Sequence, residues 1–294
     1  MLHKMFATVK RLRKVAAYSI ILLTLLVFWQ FIRNNPKVID QLGDTSLVTI
    51  IVIILLYGAM TGLLAILYKV MTNICGVSIP GKDNLLLTMY SSVVNFFGPL
   101  QSGPGFRTIY LKKKYGVNIA KYIGVSLLYY VFFGVMSGLF LLSGLFGYWI
   151  IGILAFGLLI AYLSLPRILS AKIVKRYIPN ILPWRQLAVL AALSLVQVLL
   201  VAVIYFVEIR SVQAGVGFGQ ALIYTGAANF ALFVSLTPGA LGFRESFLYL
   251  SRDLHRIDQT TIIGANIIDR GVYLVFLGLL FVIILAFHGR NRFK

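Results

Sequence analysis

Long apolar runs separated by short polar segments dominate the sequence. A helix needs about 20 mostly apolar residues to cross a bilayer. Runs of about this length occupy residues 15–32, 47–68, 119–142, 148–165, 187–207 and 261–287. The pattern therefore predicts an all-α polytopic membrane protein with about six transmembrane helices.

Two further apolar stretches end in proline and glycine residues, which terminate helices. One is 85–100 and the other is 221–236, each with a central asparagine (Asn95, Asn229) and a Gly-Phe-Arg sequence after the break. A full crossing by 85–100 would move the three lysines at 112–114 to the outer face. We therefore expect 85–111 and 221–250 to be re-entrant helical hairpins. Non-helical backbone at membrane depth needs a protein or water-filled environment, so the hairpins predict a polar cavity between them.

The order of elements around the two breaks is the same. A span, a hairpin and a second span occupy about 47–142, and the same order recurs at about 187–287 with the opposite direction across the membrane. Such inverted repeats with broken helices are typical of secondary transporters. We expect one membrane domain, 1–294, built from two inverted repeats.

Basic residues between the spans set the orientation. With the first span running outward, 20 of the 27 lysines and arginines lie inside and six lie outside, while Arg270 lies in a span. Cytoplasmic segments carry the excess of basic residues. We expect a multi-pass inner-membrane protein with a cytoplasmic N-terminus and C-terminus. The net charge of +19 is explained by this asymmetry, and no nucleic-acid partner is expected.

Few residues are suited to metal or covalent chemistry. Cys75 is the only cysteine, and the three histidines have no metal-binding spacing. No nucleophile–base pair is visible, so we expect neither a metal, nor a cofactor, nor enzymatic activity.

The residues after each break form a candidate anion site. A helix restarting near Ser102 or Thr237 would present free N–H groups, which favour anions, close to Arg107 and Arg244. We interpret this as a site for a phosphate-bearing headgroup. The alternative is that proline and glycine serve only the turn and the arginines extend to the membrane interface. Glu245 could pair with a basic group in the cavity, tune Arg244 or bind a coupling proton, or it could be a solvated loop carboxylate.

Polar residues in the last apolar run share one helical face. Asn266, Asp269, Arg270 and Tyr273 follow the spacing i, i+3, i+4 and i+7. Charged groups in a span usually face a partner or a cavity. In one interpretation these four residues line a pathway. In the alternative interpretation the charged ones form a structural ion pair with a different span. The predicted pathway residues are Asn95, Arg107, Asn229, Thr237, Pro238, Gly239, Gly242, Arg244, Glu245, Asn266, Asp269 and Arg270.

The same residues resemble the transmembrane-region family of lysylphosphatidylglycerol synthases. Residues 235–245 are similar to its Pro-Gly-Gly-x-Gly-x-x-Glu signature, although Ala240 stands where a second glycine is usual and Arg244 directly precedes the glutamate. Asn95, Pro99, Gly105, Arg107 and Leu111 resemble an earlier pattern, and Arg270 resembles an arginine of the final span. The resemblance implies a flippase-like domain that moves a lipid or lipid-linked intermediate between leaflets. Since the chain stops at Lys294, no aminoacyltransferase activity is expected.

Three functions stay open at this point. The first is binding and translocation of an anionic lipid, either a phospholipid or a polyprenyl-phosphate carrier, in a groove open to the bilayer. The second is transport of a small solute in a cavity shielded from lipid. The third is a non-transporting accessory subunit of a lipid or glycan synthase. The oligomeric state is not predicted.

Overall fold

The computed structural model describes residues 44–97, 102–150, 184–234 and 243–290, together with Arg33, Gly152 and Phe156. All regular elements in these ranges are α-helices, which confirms the predicted all-α class for the described part of the chain. They are α1 (Leu47–Ile74), α2 (Gly81–Phe97), α3 (Gly103–Tyr115), α4 (Ile119–Phe146), α5 (Trp184–Val212), α6 (Phe218–Val234), α7 (Phe243–Leu250), α8 (Arg252–His255) and α9 (Gln259–Arg290).

Within the described ranges, four helices are long and apolar enough to cross a bilayer. They are Leu47–Ile74, Ile119–Phe146, Arg185–Val212 and Gln259–Phe287, and each contains one predicted span or nearly all of it. The other two predicted spans, 15–32 and 148–165, lie wholly or mostly outside the described residues. The breaks of the predicted hairpins, 98–101 and 235–242, also lie outside them.

Polar side chains fix where the long helices begin. Ser46 Oγ accepts the N–H of Thr49 at 3.1 Å in the first turn of α1. Asn118 Oδ1 accepts the N–H of Lys121 at 3.0 Å at the start of α4. Short side chains with an acceptor oxygen are favoured at this position because they satisfy N–H groups that have no partner within the helix.

Helices α2 and α3 form an antiparallel hairpin whose two open ends are linked. Asp83, in the first turn of α2, accepts a hydrogen bond from Lys114 Nζ at 2.5 Å and another from the Tyr115 hydroxyl. These two hydrogen bonds hold the pKa of the Asp83 carboxyl below its ordinary value. The chain therefore leaves α3 at the level at which it entered α2.

A second hairpin joins α6 to α7 and α8. Gln220 Nε2, near the start of α6, donates to the backbone oxygens of His255 and Arg256 at 3.2 Å each. His255 is fully buried, and its Nε2 lies 3.0 Å from the backbone oxygen of Leu248. The end of α8 thus lies beside the beginning of α6.

The two hairpins pack in corresponding ways. Helices α1 and α5 pack along each other. The first hairpin packs on α1 and α9 through α2, and the second packs on α5 and α4 through α6. Each hairpin therefore contacts the first long helix of its own half and the last long helix of the other half.

Candidate functional site

The N-terminal turn of α7 places Arg244 between α5 and α9. Its Nε donates to Asn266 Oδ1 at 2.9 Å, and its Nη2 donates to Asp269 Oδ2 at 2.5 Å. Its Nη1 lies 3.3 Å from the hydroxyl of Tyr205. The arginine is 7% exposed, so a buried ion pair joins α7 to α9.

The next residue of α7 makes a second ion pair with the same helix. Arg270 donates to Glu245 Oε1 through Nε at 3.1 Å and through Nη2 at 2.5 Å. Asn266, Asp269 and Arg270 thus face α7 from one side of α9, as the spacing predicts. Whether this face carries a substrate stays a prediction.

Two residues absent from the predicted set extend the cluster. Tyr57 on α1 donates its hydroxyl to Asp269 Oδ1, and the same hydroxyl lies 3.5 Å from Glu208 Oε1. Glu208 directly follows the predicted span 187–207, but α5 runs on to Val212 and buries Glu208 to 1% exposure. The apolar neighbours Val207 and Ile209 are the signal in the sequence that the helix continues.

The start of α3 lies directly against α2. Ser102 is the N-cap residue, yet its hydroxyl donates to the backbone oxygen of Val94 at 3.2 Å and caps no N–H of α3. A Cβ added to Gly103 would lie 2.6 Å from the backbone oxygen of Ser91 and 2.9 Å from Asn95 Cβ. Only glycine fits at this approach without displacing the backbone.

Arg107, one turn into α3, is 5% exposed. Its guanidinium carbon lies 3.1 Å from the ring centroid of Tyr68, a cation–π contact. Its Nε has no hydrogen-bond acceptor, and no carboxylate lies within 4 Å of it, among the described residues. The buried Oδ1 of Asn95 similarly lacks a donor within the described ranges.

Two adjoining cavities connect these groups. A cavity of about 770 Å³ is lined by Arg107, Asn95, Ser91 and the α3 N-terminus, and a cavity of about 270 Å³ is lined by Arg244, Asp269 and Arg270. Six residues line both cavities: Leu64, Asn95, Phe133, Gln197, Leu232 and Tyr273. The structure therefore brings Arg107, Arg244 and their polar neighbours to two adjoining cavities whose walls also carry many apolar side chains.

The remaining predicted residues divide into two groups. Asn229 lines the smaller cavity and donates to Ser137 Oγ at 3.0 Å. Thr237, Pro238, Gly239 and Gly242 lie outside the described residues. Gln197, which lines both cavities and accepts a hydrogen bond from Tyr129 at 2.9 Å, was not predicted because an isolated glutamine in an apolar run has no distinguishing pattern.

Several long apolar helices that enclose buried ion pairs are typical of a multi-pass membrane protein. The chain matches the family model of the lysylphosphatidylglycerol synthase TM region over residues 15–281 and belongs to that family. No curated protein and no solved structure matches it.

Proposed function

We propose that this protein binds the phosphate-bearing headgroup of an anionic lipid at Arg107 and moves it between leaflets through the two cavities. The observation that carries the proposal is the buried guanidinium group of Arg107, which no described carboxylate neutralises. Burying a charge without a counter-ion costs several kcal/mol. An anionic ligand in the adjoining cavity would offset that cost.

The neighbouring groups favour phosphate. The backbone of Gly103 and Gly105 at the N-terminus of α3 lines the same cavity as Arg107. A helix N-terminus combines free N–H donors with a partial positive charge, and a guanidinium group matches two phosphate oxygens at once. Asn95 would use its amide N–H₂ as a further donor to the headgroup.

The position of the cavity favours a lipid over a water-soluble solute. Leu127 of α4 lines the larger cavity and is also 60% exposed. An exposed apolar side chain in the cavity wall supports an opening of the cavity toward lipid. Its volume of about 770 Å³ suits a headgroup, since ligand pockets commonly measure about 300–1,000 Å³.

Further arginines continue the route beyond the first cavity. A headgroup leaving Arg107 would pass Asn95 and Gln197 on the shared wall and reach Arg244. Arg244 is paired with Asp269, so a phosphate arriving there would exchange for the carboxylate. Because the phosphate would compete with Asp269 for Arg244, it would be bound less tightly there, and the lipid would not be trapped at this arginine.

The proposal includes two inverted repeats, at about 47–142 and 187–287. It also includes a location in the cytoplasmic membrane with both termini on the cytoplasmic side. Support comes from the linked ends of each hairpin and from their corresponding packing. Single cysteines in the loops at 112–118 and 252–258 of a Cys75→Ser variant should react with impermeant reagents from opposite faces. Labelling from the same face would reject the inverted arrangement.

A leaflet-resolved assay tests the function. Purified protein in phosphatidylcholine vesicles is given fluorescent phosphatidylglycerol in one series and a fluorescent polyprenyl phosphate in another, and a membrane-impermeant quencher reports the outer leaflet. Arg107→Ala should weaken headgroup binding roughly 10- to 150-fold, the equivalent of about 1.5–3 kcal/mol for charge-assisted hydrogen bonds. The matched control is Lys113→Ala, which removes one positive charge from an exposed position on the same helix. Equal transport by both variants, or no movement of either lipid by the wild type, would refute the proposal.

A further inference from the structure

We infer that Glu208 is a proton-binding site connected to the lipid pathway through Tyr57 and Asp269, so that lipid movement is coupled to protonation. The coupling rests on the proposed lipid site, whereas the proton site rests on the geometry alone. Glu208 lines neither cavity, whereas its neighbour Tyr57 and Asp269 both line the smaller one.

Within the part of the chain that the structure describes, one carboxylate of this cluster has no partner cation. Asp269 is matched by Arg244 at 2.5 Å. Glu208 is 1% exposed and has no lysine or arginine within 4 Å among the described residues. Keeping an isolated carboxylate ionised in such surroundings is costly, and binding a proton removes the charge.

The hydrogen-bond geometry needs a proton at the same place. A tyrosine hydroxyl has one hydrogen to donate, and Tyr57 directs it to Asp269 at the shorter of its two contacts. The Tyr57 oxygen also lies 3.5 Å from Glu208 Oε1. This second contact is attractive when the Glu208 carboxyl carries a proton, because the carboxyl can then donate to the tyrosine oxygen. A protonated Glu208, Tyr57 and an ionised Asp269 form a consistent donor chain that ends at the cavity.

Among the described residues that act most strongly on Glu208, the positive charge comes from Arg244. Helix α4 has one charged side chain, Lys121, which lies in its first turn. The groups on the elements packed around Glu208 are Tyr57 on α1, Tyr205 on α5 itself, Tyr224 on α6, Arg244 on α7 and Asp269 on α9. A phosphate that attracted Arg244 would leave Asp269 and Glu208 with still less positive charge and would favour proton uptake.

A proton fits this site better than a metal ion. No group of three or more His, Cys, Asp or Glu side chains that could hold a metal occurs in the part of the chain that the structure describes. Glu208 also lies off the cavity wall, whereas a cation such as Na⁺ would need several oxygen ligands or waters around it.

Infrared spectroscopy of the purified protein in phosphatidylcholine nanodiscs tests the proton site without any substrate. At neutral pH, wild type and the exposed-site control Asp253→Asn should show the C=O stretch of a protonated carboxyl, and Glu208→Gln should lose it. If Glu208→Gln does not fold, Tyr57→Phe should keep the band but shift its frequency because a hydrogen-bond partner is removed. The inference would be overturned if the band persisted in Glu208→Gln or did not shift in Tyr57→Phe. It would also be overturned if wild type showed no such band.

Vesicles with a pH difference test the coupling. For one proton per lipid, each pH unit should change the equilibrium ratio of fluorescent phosphatidylglycerol between leaflets by up to about tenfold. Glu208→Gln should still bind the lipid but show no response to the gradient. Transport by wild type that ignores the gradient would reject the coupling. Absence of any transport would reject the proposed function and leave the infrared result to decide on the proton site.

Discussion

Gly226 lies where α6 crosses α4, and enlarging its side chain should force the two helices apart. A Cβ at this position would lie 2.5 Å from the backbone nitrogen of Leu141 and 2.6 Å from the backbone oxygen of Ser137. Ordinary carbon contacts begin near about 3.5 Å, so the gap is too small by roughly 1 Å. Because both neighbours are backbone atoms, no side-chain rotation relieves the clash.

The size of the effect follows from this geometry. Overpacking of a rigid site costs about 1–3 kcal/mol, and we expect Gly226→Ala to lower the free energy of unfolding by about that amount. The displacement would also stretch the 3.0 Å hydrogen bond from Asn229 to Ser137. Gly62→Ala is the matched control, because nothing lies within 4 Å of its added Cβ. In the control, alanine should stabilise α1 by up to about 1 kcal/mol.

The assay is reversible unfolding in mixed detergent micelles, followed by loss of helical circular dichroism. The reasoning predicts that Gly226→Ala unfolds at a lower denaturant concentration than wild type and Gly62→Ala at the same or a higher one. Equal stability of the two variants would show that α6 and α4 do not approach each other as closely as the structure indicates.

Two further predictions concern ion pairs. Hydrogen bonds from Lys114 and Tyr115 lower the pKa of Asp83, so their stabilisation is complete above the ordinary aspartate pKa and is lost as pH falls through the lowered value. Since Lys114 is about half exposed, the free energy of unfolding of wild type should fall by less than about 1 kcal/mol on acidification, and that of Asp83→Asn should not show this fall. The same pH dependence of unfolding in both proteins would contradict the prediction. Asp269→Asn breaks a buried pair and should cost about 3–5 kcal/mol, against about 0.5 kcal/mol or less for exposed Asp253→Asn, as measured by detergent unfolding. Similar losses for both would mean that Arg244 does not depend on Asp269.

The sequence by itself determined the class of the molecule and the start of α3. Apolar runs must be helices in a bilayer because backbone groups there need internal partners, and four of the predicted spans are helices in the structure. Proline and glycine near Ser102 forced a restart, and α3 begins there. The spacing from Asn266 to Arg270 fixed one face of α9 for the same geometric reason.

The tertiary structure decided which polar residues meet. Glu208 and Tyr57 are 151 residues apart in the chain, and nothing local marks either one as part of a site. Their contact depends on the packing of α1 against α5, which brings together side chains from distant segments. The packing of α7 against α9 decides which arginine is neutralised, since Arg244 meets Asp269 while Arg107, on α3, faces a tyrosine ring and an open cavity.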